Sequence, residues 1–288
     1  MKYITFNDMA NTIRRNIWKI PHDIDFVIGV PRSGMLCGTM VSEFINVPLV
    51  DINSFCNGMN PSGGLRCKNL DKKSNKVLVM DDTVYNGTSM RKSKKLLEPF
   101  KDKYEFIYCC TYLEGTAVDE VDIYLEDVRQ YTNQYSIVLY EWNIFHHNSN
   151  FMSRCMYDMD GVFCVDPPDE RNEKEYIEYI KNAIPLIVPT VLIGAICTYR
   201  LVKNQEITKQ WLRENNIKYG KLIMFNAQTY EERQNSGVSP EEMKGHIYKD
   251  DGDMILFVES SDYQARRIYE ISKKPVLCIE KNILYGGE

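Results

Sequence analysis

The sequence predicts an α/β protein of two domains, residues 1–150 and residues 151–288. Apolar runs of strand length alternate with amphipathic stretches along the whole chain, and several of those runs end in acids or small-residue turns. A length of 288 residues exceeds the usual size of a single core, and 44% apolar with 26% charged residues lets each half bury its own.

In the first half the pattern predicts a helix over residues 7–19 and strands over residues 26–30, 49–52, 77–80 and 105–110, with helices over 35–44 and 88–101 between them. Strand–helix alternation of this kind builds a parallel sheet covered on both faces. Ligands of such sheets gather at the carboxyl ends of the strands, and two strands here end in phosphate-type turns. The segment 76–90, KVLVMDDTVYNGTSM, carries Asp81 and Asp82 to a strand end and follows them with a turn rich in backbone N–H groups and hydroxyls. The segment 25–36, DFVIGVPRSGML, ends its strand in Val30-Pro31-Arg32-Ser33-Gly34. A strand whose acids merely cap a helix is the plain alternative for the first segment, and a surface turn for the second. The two together point to a phosphorylated sugar.

This arrangement resembles the 5-phosphoribosyl 1-pyrophosphate (PRPP) signature of type I phosphoribosyltransferases. The resemblance implies that Asp81 and Asp82 hold the ribose hydroxyls, directly or through magnesium, and that Tyr85, Asn86, Gly87, Thr88 and Ser89 hold the 5-phosphate. Many members carry a pair of threonines where this chain has Tyr85 and Asn86. Arg32, Ser33 and Gly34 fall at the pyrophosphate loop, where a planar, permanently charged guanidinium suits the leaving group. The polar stretch 53–75 matches the position of the family's mobile loop, and Arg66 or Lys68 would face departing pyrophosphate.

In the second half, residues 153–165, SRCMYDMDGVFCV, lead an apolar run into Asp158-Met159-Asp160-Gly161. A second apolar run, residues 191–198, ends at Thr198 with Arg200 close by, and a third, residues 254–258, ends at Glu259. A helix signal at Ser239-Pro240-Glu241-Glu242 puts Lys244 one turn in, and Lys249 also precedes the last strand. The order resembles haloacid dehalogenase-like (HAD) phosphatases. It implies that Asp158 attacks phosphorus, that Asp160 protonates the leaving alcohol and then activates water, and that Thr198 holds a phosphoryl oxygen. Lys244, preferred over Lys249, would bind the phosphate, and Asp158, Asp160 and Glu259 would hold Mg2+. Most relatives have paired aspartates or Gly-Asp where Glu259 stands, so Glu259, assisted by Asp262, departs from the pattern. The segments 161–197 and 226–253 are too short for an inserted cap, so this capless HAD-like Rossmannoid domain would be open to a large substrate.

Fusion of the two implies sequential chemistry: phosphoribosyl transfer from PRPP, then removal of the 5-phosphate. The whole resembles the PRPP-dependent ribofuranosyltransferases of bacterial surface polysaccharide synthesis, which implies a glycan acceptor, lipid-linked or free, at the inner face of a membrane. Two rivals stand beside it, a nucleoside-forming enzyme with a base-like acceptor and a PRPP sensor without turnover. A net charge of −5 with no basic block beyond residues 91–95 excludes duplex nucleic acid as a partner. Nine scattered cysteines read as reduced core thiols. The amino-terminal segment lacks a signal-peptide core, and the longest apolar run, residues 183–198, holds two prolines and reads as a strand, so a cytoplasmic protein is expected. The junction 140–150, YEWNIFHHNSN, reads as a packed connector with a hinge at 148–150, its two histidines structural for want of a third ligand.

Overall fold

A computed structural model describes residues 1–65, 67, 74–131 and 137–287. They form two compact units, Ile4–Trp142 and Asn143–Glu288, the latter with Met1–Tyr3. The division falls at Trp142, ahead of the boundary expected near Asn150. Its physical reason lies in Trp142 itself, whose indole is bonded and stacked within the first unit, as described below.

The first unit runs α1 (Phe6–Asn16), β1 (Ile24–Gly29), α2 (Ser33–Ile45), β2 (Leu49–Asp51), α3 (Ile52–Cys56), β3 (Lys76–Val84), α4 (Thr88–Leu97), β4 (Glu105–Leu113) and β5 (Ile123–Asp127). The strands pair in parallel in the order β2-β1-β3-β4-β5. Period-two alternation sorts the central strand onto two cores. Leu78 and Met80 join Met9, Ile13, Cys37 and Val41 of α1 and α2 on one face, and Val77 and Val79 join Ile52, Phe55, Met90 and Leu97 of α3 and α4 on the other. Strand β3 is longer than its apolar run, because its pairing with β4 continues through Asp81 opposite Cys110 and Val84 opposite Leu113. The two acids therefore lie within a strand, on rigid backbone. Helix α4 stops at Leu97 rather than at residue 101, since Pro99 lacks the N–H that another turn requires.

The second unit contains α5 (Ser149–Met152), β6 (Cys155–Tyr157), α6 (Glu173–Asn182), β7 (Ile193–Leu201), α7 (Gln205–Glu214), β8 (Tyr219–Phe225), α8 (Tyr230–Asn235), α9 (Pro240–Asp250), β9 (Leu256–Glu259), α10 (Asp262–Ser272), β10 (Val276–Cys278) and β11 (Ile283–Tyr285). The sheet order is β8-β7-β6-β9-β10-β11, parallel except for β11. Met156, Ala195, Cys197 and Phe257 from its central strands pack on Tyr248 of α9 and Ala265 and Ile268 of α10. Strand β6, which leads to Asp158, lies between the strand of Thr198 and the strand of Glu259. Between β6 and β7, and between β8 and β9, the chain adds helices and loops but no strand of a further sheet among the described residues. All nine cysteines are free, and no described helix is long and apolar enough to cross a membrane.

Candidate functional site

In the first unit Gly29 of β1 lies opposite Met80 of β3 and Asp51 of β2, so residues 30–34 leave β1 beside Asp81 and Asp82 while β3 runs on to Val84 before its own turn. The Val30 amide donates to the Met80 carbonyl at 2.9 Å. A Cβ at Gly34 would lie 2.7 Å from that same carbonyl oxygen and 3.0 Å from Asp81 Oδ1, so only glycine lets the first loop pass this close to the second. The Pro31–Arg32 peptide is cis, and the Arg32 side chain is exposed. Helix α2 begins at Ser33 and helix α4 at Thr88, which sets two helix amino ends at the same end of the sheet as the acids.

The turn into α4 requires Gly87, which sits at φ +72° and whose Cβ would lie 2.9 Å from Ala117 Cβ. The Asn86 carboxamide accepts from the Thr88 amide at 3.1 Å, so it shapes the turn, while Tyr85 is exposed. Ser89 Oγ donates to Asp81 Oδ2 at 2.9 Å, and the Asp82 amide donates to Asp81 Oδ1 at 3.0 Å. Burial and the adjoining charge of Asp82 nevertheless push Asp81 up to about 8. Asp82 Oδ2 accepts from Trp142 Nε1 at 2.7 Å. The indole continues a run of rings, 5.6 Å from Phe6 and 4.9 Å from Tyr140, which lies 5.8 Å from Tyr112. Sequence reasoning took Trp142 for connector packing, and no local signal ties it to an acid so distant in the chain. Arg66 and Lys68 lie outside the described residues.

In the second unit a cavity of about 490 Å³ is lined by Asp158, Asp160, Asp166, Thr198, Lys244 and Ser260, among others. The capping box of Ser239 with Glu242, and Pro240 in the first turn, fix the start of α9 so that Lys244 falls on its buried face. Lys244 Nζ stands 2.8 Å from Asp158 Oδ2, 2.8 Å from Glu259 Oε2 and 2.9 Å from Gln264 Oε1, whereas Lys249 is exposed. Burial and the charge of Glu259 hold Asp158 well above the usual carboxylate range despite that lysine. Glu259 also accepts from the amides of Ser260 and Ser261, at 2.9 and 3.2 Å. Asp262 turns to Tyr285 and Arg266, so it does not assist Glu259 as expected. Thr198 Oγ1 accepts from the Arg200 amide at 3.3 Å.

The carboxylate of Asp160 is gripped by the buried Arg200, Nε to Oδ2 at 3.0 Å and Nη2 to Oδ1 at 2.5 Å, and accepts from Tyr179 at 2.6 Å. Burial alone would raise its pKa, but the guanidinium outweighs burial and holds the group below the usual range. Both Asp160 oxygens are thus occupied by Arg200 and Tyr179. Asp166, which the sequence reading passed over, is raised by burial. His146 Nδ1 lies 3.2 Å from Thr190 Oγ1, and His147 Nδ1 lies 2.8 Å from Asn148 Nδ2.

Among the described residues no group of three or more His, Cys, Asp or Glu side chains is arranged to cage a metal ion. Magnesium needs less: it binds through one or two carboxylates and keeps water and substrate phosphate oxygens for the rest. Asp158, which lines the cavity, fits that demand, while the oxygens of Glu259 are taken by Lys244 and the Ser260 and Ser261 amides and those of Asp160 by Arg200.

The family model described as phosphoribosyl transferase domain matches residues 3–144. Among solved structures the chain is similar to the purine phosphoribosyltransferase of Pyrococcus horikoshii Ot3, at 18% identity over 49% of this chain and 92% of that one, with a TM-score of 0.35. It is similar to the orotate phosphoribosyltransferase of Aeropyrum pernix at 19% identity, covering 43% and 72% of the two chains, with a TM-score of 0.32. A third is the Helicobacter pylori xanthine-guanine-hypoxanthine phosphoribosyltransferase, at 14% identity, 50% and 93% coverage and a TM-score of 0.34. A comparison with curated proteins gave no match.

Proposed function

We propose that this chain, whose residues 3–144 are a phosphoribosyl transferase domain, works as a two-step ribofuranosyltransferase. In the first step the bond from ribose C1 to pyrophosphate breaks and a bond from C1 to an acceptor hydroxyl forms with inversion. Asp81 and Asp82 hold the ribose hydroxyls, the loop from Tyr85 to Ser89 with the α4 amino end holds the 5-phosphate, and Arg32 with the Ser33-Gly34 amides receives pyrophosphate. In the second step the second unit removes the 5-phosphate, leaving a neutral ribofuranosyl group on a glycan acceptor.

The observation that carries the second step is the meeting of Asp158, Thr198 and Lys244 around one cavity, with Glu259 buried behind them on the ammonium of Lys244. An Asp158 oxygen attacks phosphorus as the bond to O5 breaks, with Lys244 and Thr198 balancing and orienting the phosphoryl oxygens. Asp166, on the wall of the same cavity, is placed to protonate the leaving O5. Water then adds to phosphorus as the bond to Asp158 breaks, and Asp160, on the wall of the same cavity, takes its proton as the resemblance to HAD phosphatases implies. Magnesium, if bound at Asp158, would supply charge neutralisation for the phosphoryl group. The absence of an inserted cap among the described residues suits a bulky acceptor.

A second reading takes a base-like acceptor, and the rings of Trp142 and Phe6 beside Asp82 favour it. One experiment separates the two. Asp158→Asn protein incubated with PRPP, magnesium and either glycans or nucleobases should accumulate a phosphoribosylated glycan by mass spectrometry, which wild-type protein converts to the form lighter by one phosphate. A nucleotide product would favour the second reading. Release of no phosphate from any ribose 5-phosphate by the wild type would exclude the coupled scheme.

A further inference from the structure

The cavity of Asp158 is unbalanced in charge. Its wall carries five carboxylates, those of Asp158, Asp160, Asp166, Glu170 and Glu280, against the one ammonium of Lys244. That ammonium is itself shared between Asp158 and the buried Glu259. The buried guanidinium of Arg200 is spent on Asp160, and that of Arg233 on Glu170. The amides of Ser260 and Ser261, which could otherwise receive an anion, both donate to Glu259. Thr198 and Gln264 add only neutral groups.

The surroundings of the cavity supply no counter-charge. A recess of about 540 Å³ shares Glu170, Tyr199 and Pro240 with it, and adds a single cation among the described residues, Arg233. The Arg233 side chain is only 3% exposed and already paired, so it has no charge to offer a ligand. At the surface, Lys281 stands 3.5 Å from Glu280, and both are half exposed, where water and salt weaken such a pair.

A volume of about 490 Å³ suits one small ligand, so when a ribose 5-phosphate faces Asp158 the group on its C1 still lies against the wall or at the mouth. A neutral group there meets no penalty of charge. Pyrophosphate there would be set among Asp166, Glu170 and Glu280 with no uncommitted cation to meet it. Low-dielectric walls lined by one sign of charge concentrate that field, and like charges brought together turn the wrong partner away. We infer that this cavity selects ribose 5-phosphates whose C1 substituent is neutral and rejects those with a second anionic group, PRPP included. The selection places the reaction of the second unit after pyrophosphate has left, and spares the donor on which the first unit depends. The inference rests on the phosphatase reading and names its substrate class.

Orthophosphate release by the full-length protein is measured at one free magnesium concentration, with no acceptor, on hydroxyethyl ribofuranoside 5-phosphate, carboxymethyl ribofuranoside 5-phosphate and PRPP. The first two are matched in size and differ by one charge. Relative to the hydroxyethyl compound, kcat/KM should be about threefold lower for the carboxymethyl compound and about thirtyfold lower for PRPP. Both gaps should narrow when NaCl rises from about 0.05 M to about 0.5 M. They should narrow again in Glu280→Gln, which removes a charge from the wall and keeps an oxygen for the Asp262 amide that Glu280 now receives at 3.2 Å. Narrowing by either route marks repulsion. Equal rates on all three compounds, or gaps that neither salt nor Glu280→Gln moves, would overturn the selection and keep the phosphatase. Release from none of them would remove the phosphatase reading, and this inference with it.

Discussion

Asp81 and Asp82 of the first unit accept hydrogen bonds from neutral groups, a serine hydroxyl, a backbone amide and an indole N–H. The acids of the second unit are held by cations: Asp158 and Glu259 share the ammonium of Lys244, and Asp160 fills the fork of Arg200. All of these carboxylates are buried or nearly so, so the difference is one of charge balance rather than exposure. Neutral donors orient a carboxylate without cancelling its charge, so burial and repulsion from Asp82 leave Asp81 holding a proton up to about pH 8. Resident cations cancel it in advance, which prepares the second site for the anion of a phosphoryl group.

Removing a cation is the harshest way to break this contrast. Lys244→Met strands two buried carboxylates, and breaking a buried pair in this way costs about 3–5 kcal/mol. Urea unfolding should show that loss, and phosphatase activity should vanish with it. Adding Glu259→Gln removes one of the stranded charges, so the double variant should regain much of the stability and none of the activity. If Lys244→Met unfolds like the wild type, the lysine does not balance those acids.

A smaller effect separates the sites by pH. Asp81 is raised to about 8 in the folded protein by burial and by Asp82, against about 3.9 in an unfolded chain. The folded state therefore holds this proton more tightly, and its contribution to stability is complete below about pH 4 and lost as pH rises through about 8. That loss is on the order of 3 kcal/mol, after allowance for water reaching a site at a loop. Asp81→Asn cannot titrate there, so its melting temperature should gain on the wild type between pH 4 and pH 8, with other carboxylates cancelling in the difference. Parallel curves would mean that Asp81 is ionised throughout.

Much of this was legible in the sequence because the signals are local. The strand-acid-turn strings put Asp81, Asp82 and Asp158 at the sheet ends, and the Ser239-Pro240-Glu242 start of α9 favoured Lys244, which is buried, over Lys249, which is exposed. What sequence could not supply is long-range. The fork of Arg200, from β7, closes on Asp160, just past β6, only once those two strands pair. Strand β3 outran its apolar run for a similar reason, since its last residues are fixed by pairing with β4 rather than by their own propensity.

The mildest test concerns the residue that local reading missed altogether. Trp142 Nε1 donates to Asp82 at 2.7 Å, and its ring is fixed between Phe6 and Tyr140, so it aims the carboxylate without being placed to touch the ribose through a charge of its own. Trp142→Phe keeps a ring for packing and deletes the donor. A hydrogen bond to a charged group is worth about 1.5 kcal/mol, so kcat/KM for PRPP should fall roughly tenfold while phosphate release from a ribose 5-phosphate stays unchanged. A positioning residue should lower kcat more than it raises KM, because a misaimed carboxylate still binds the ribose but stabilises the transition state less well. An equal loss in both units would instead mark Trp142 as a structural residue, and the neutral donors of the first site would then hold its fold rather than its chemistry.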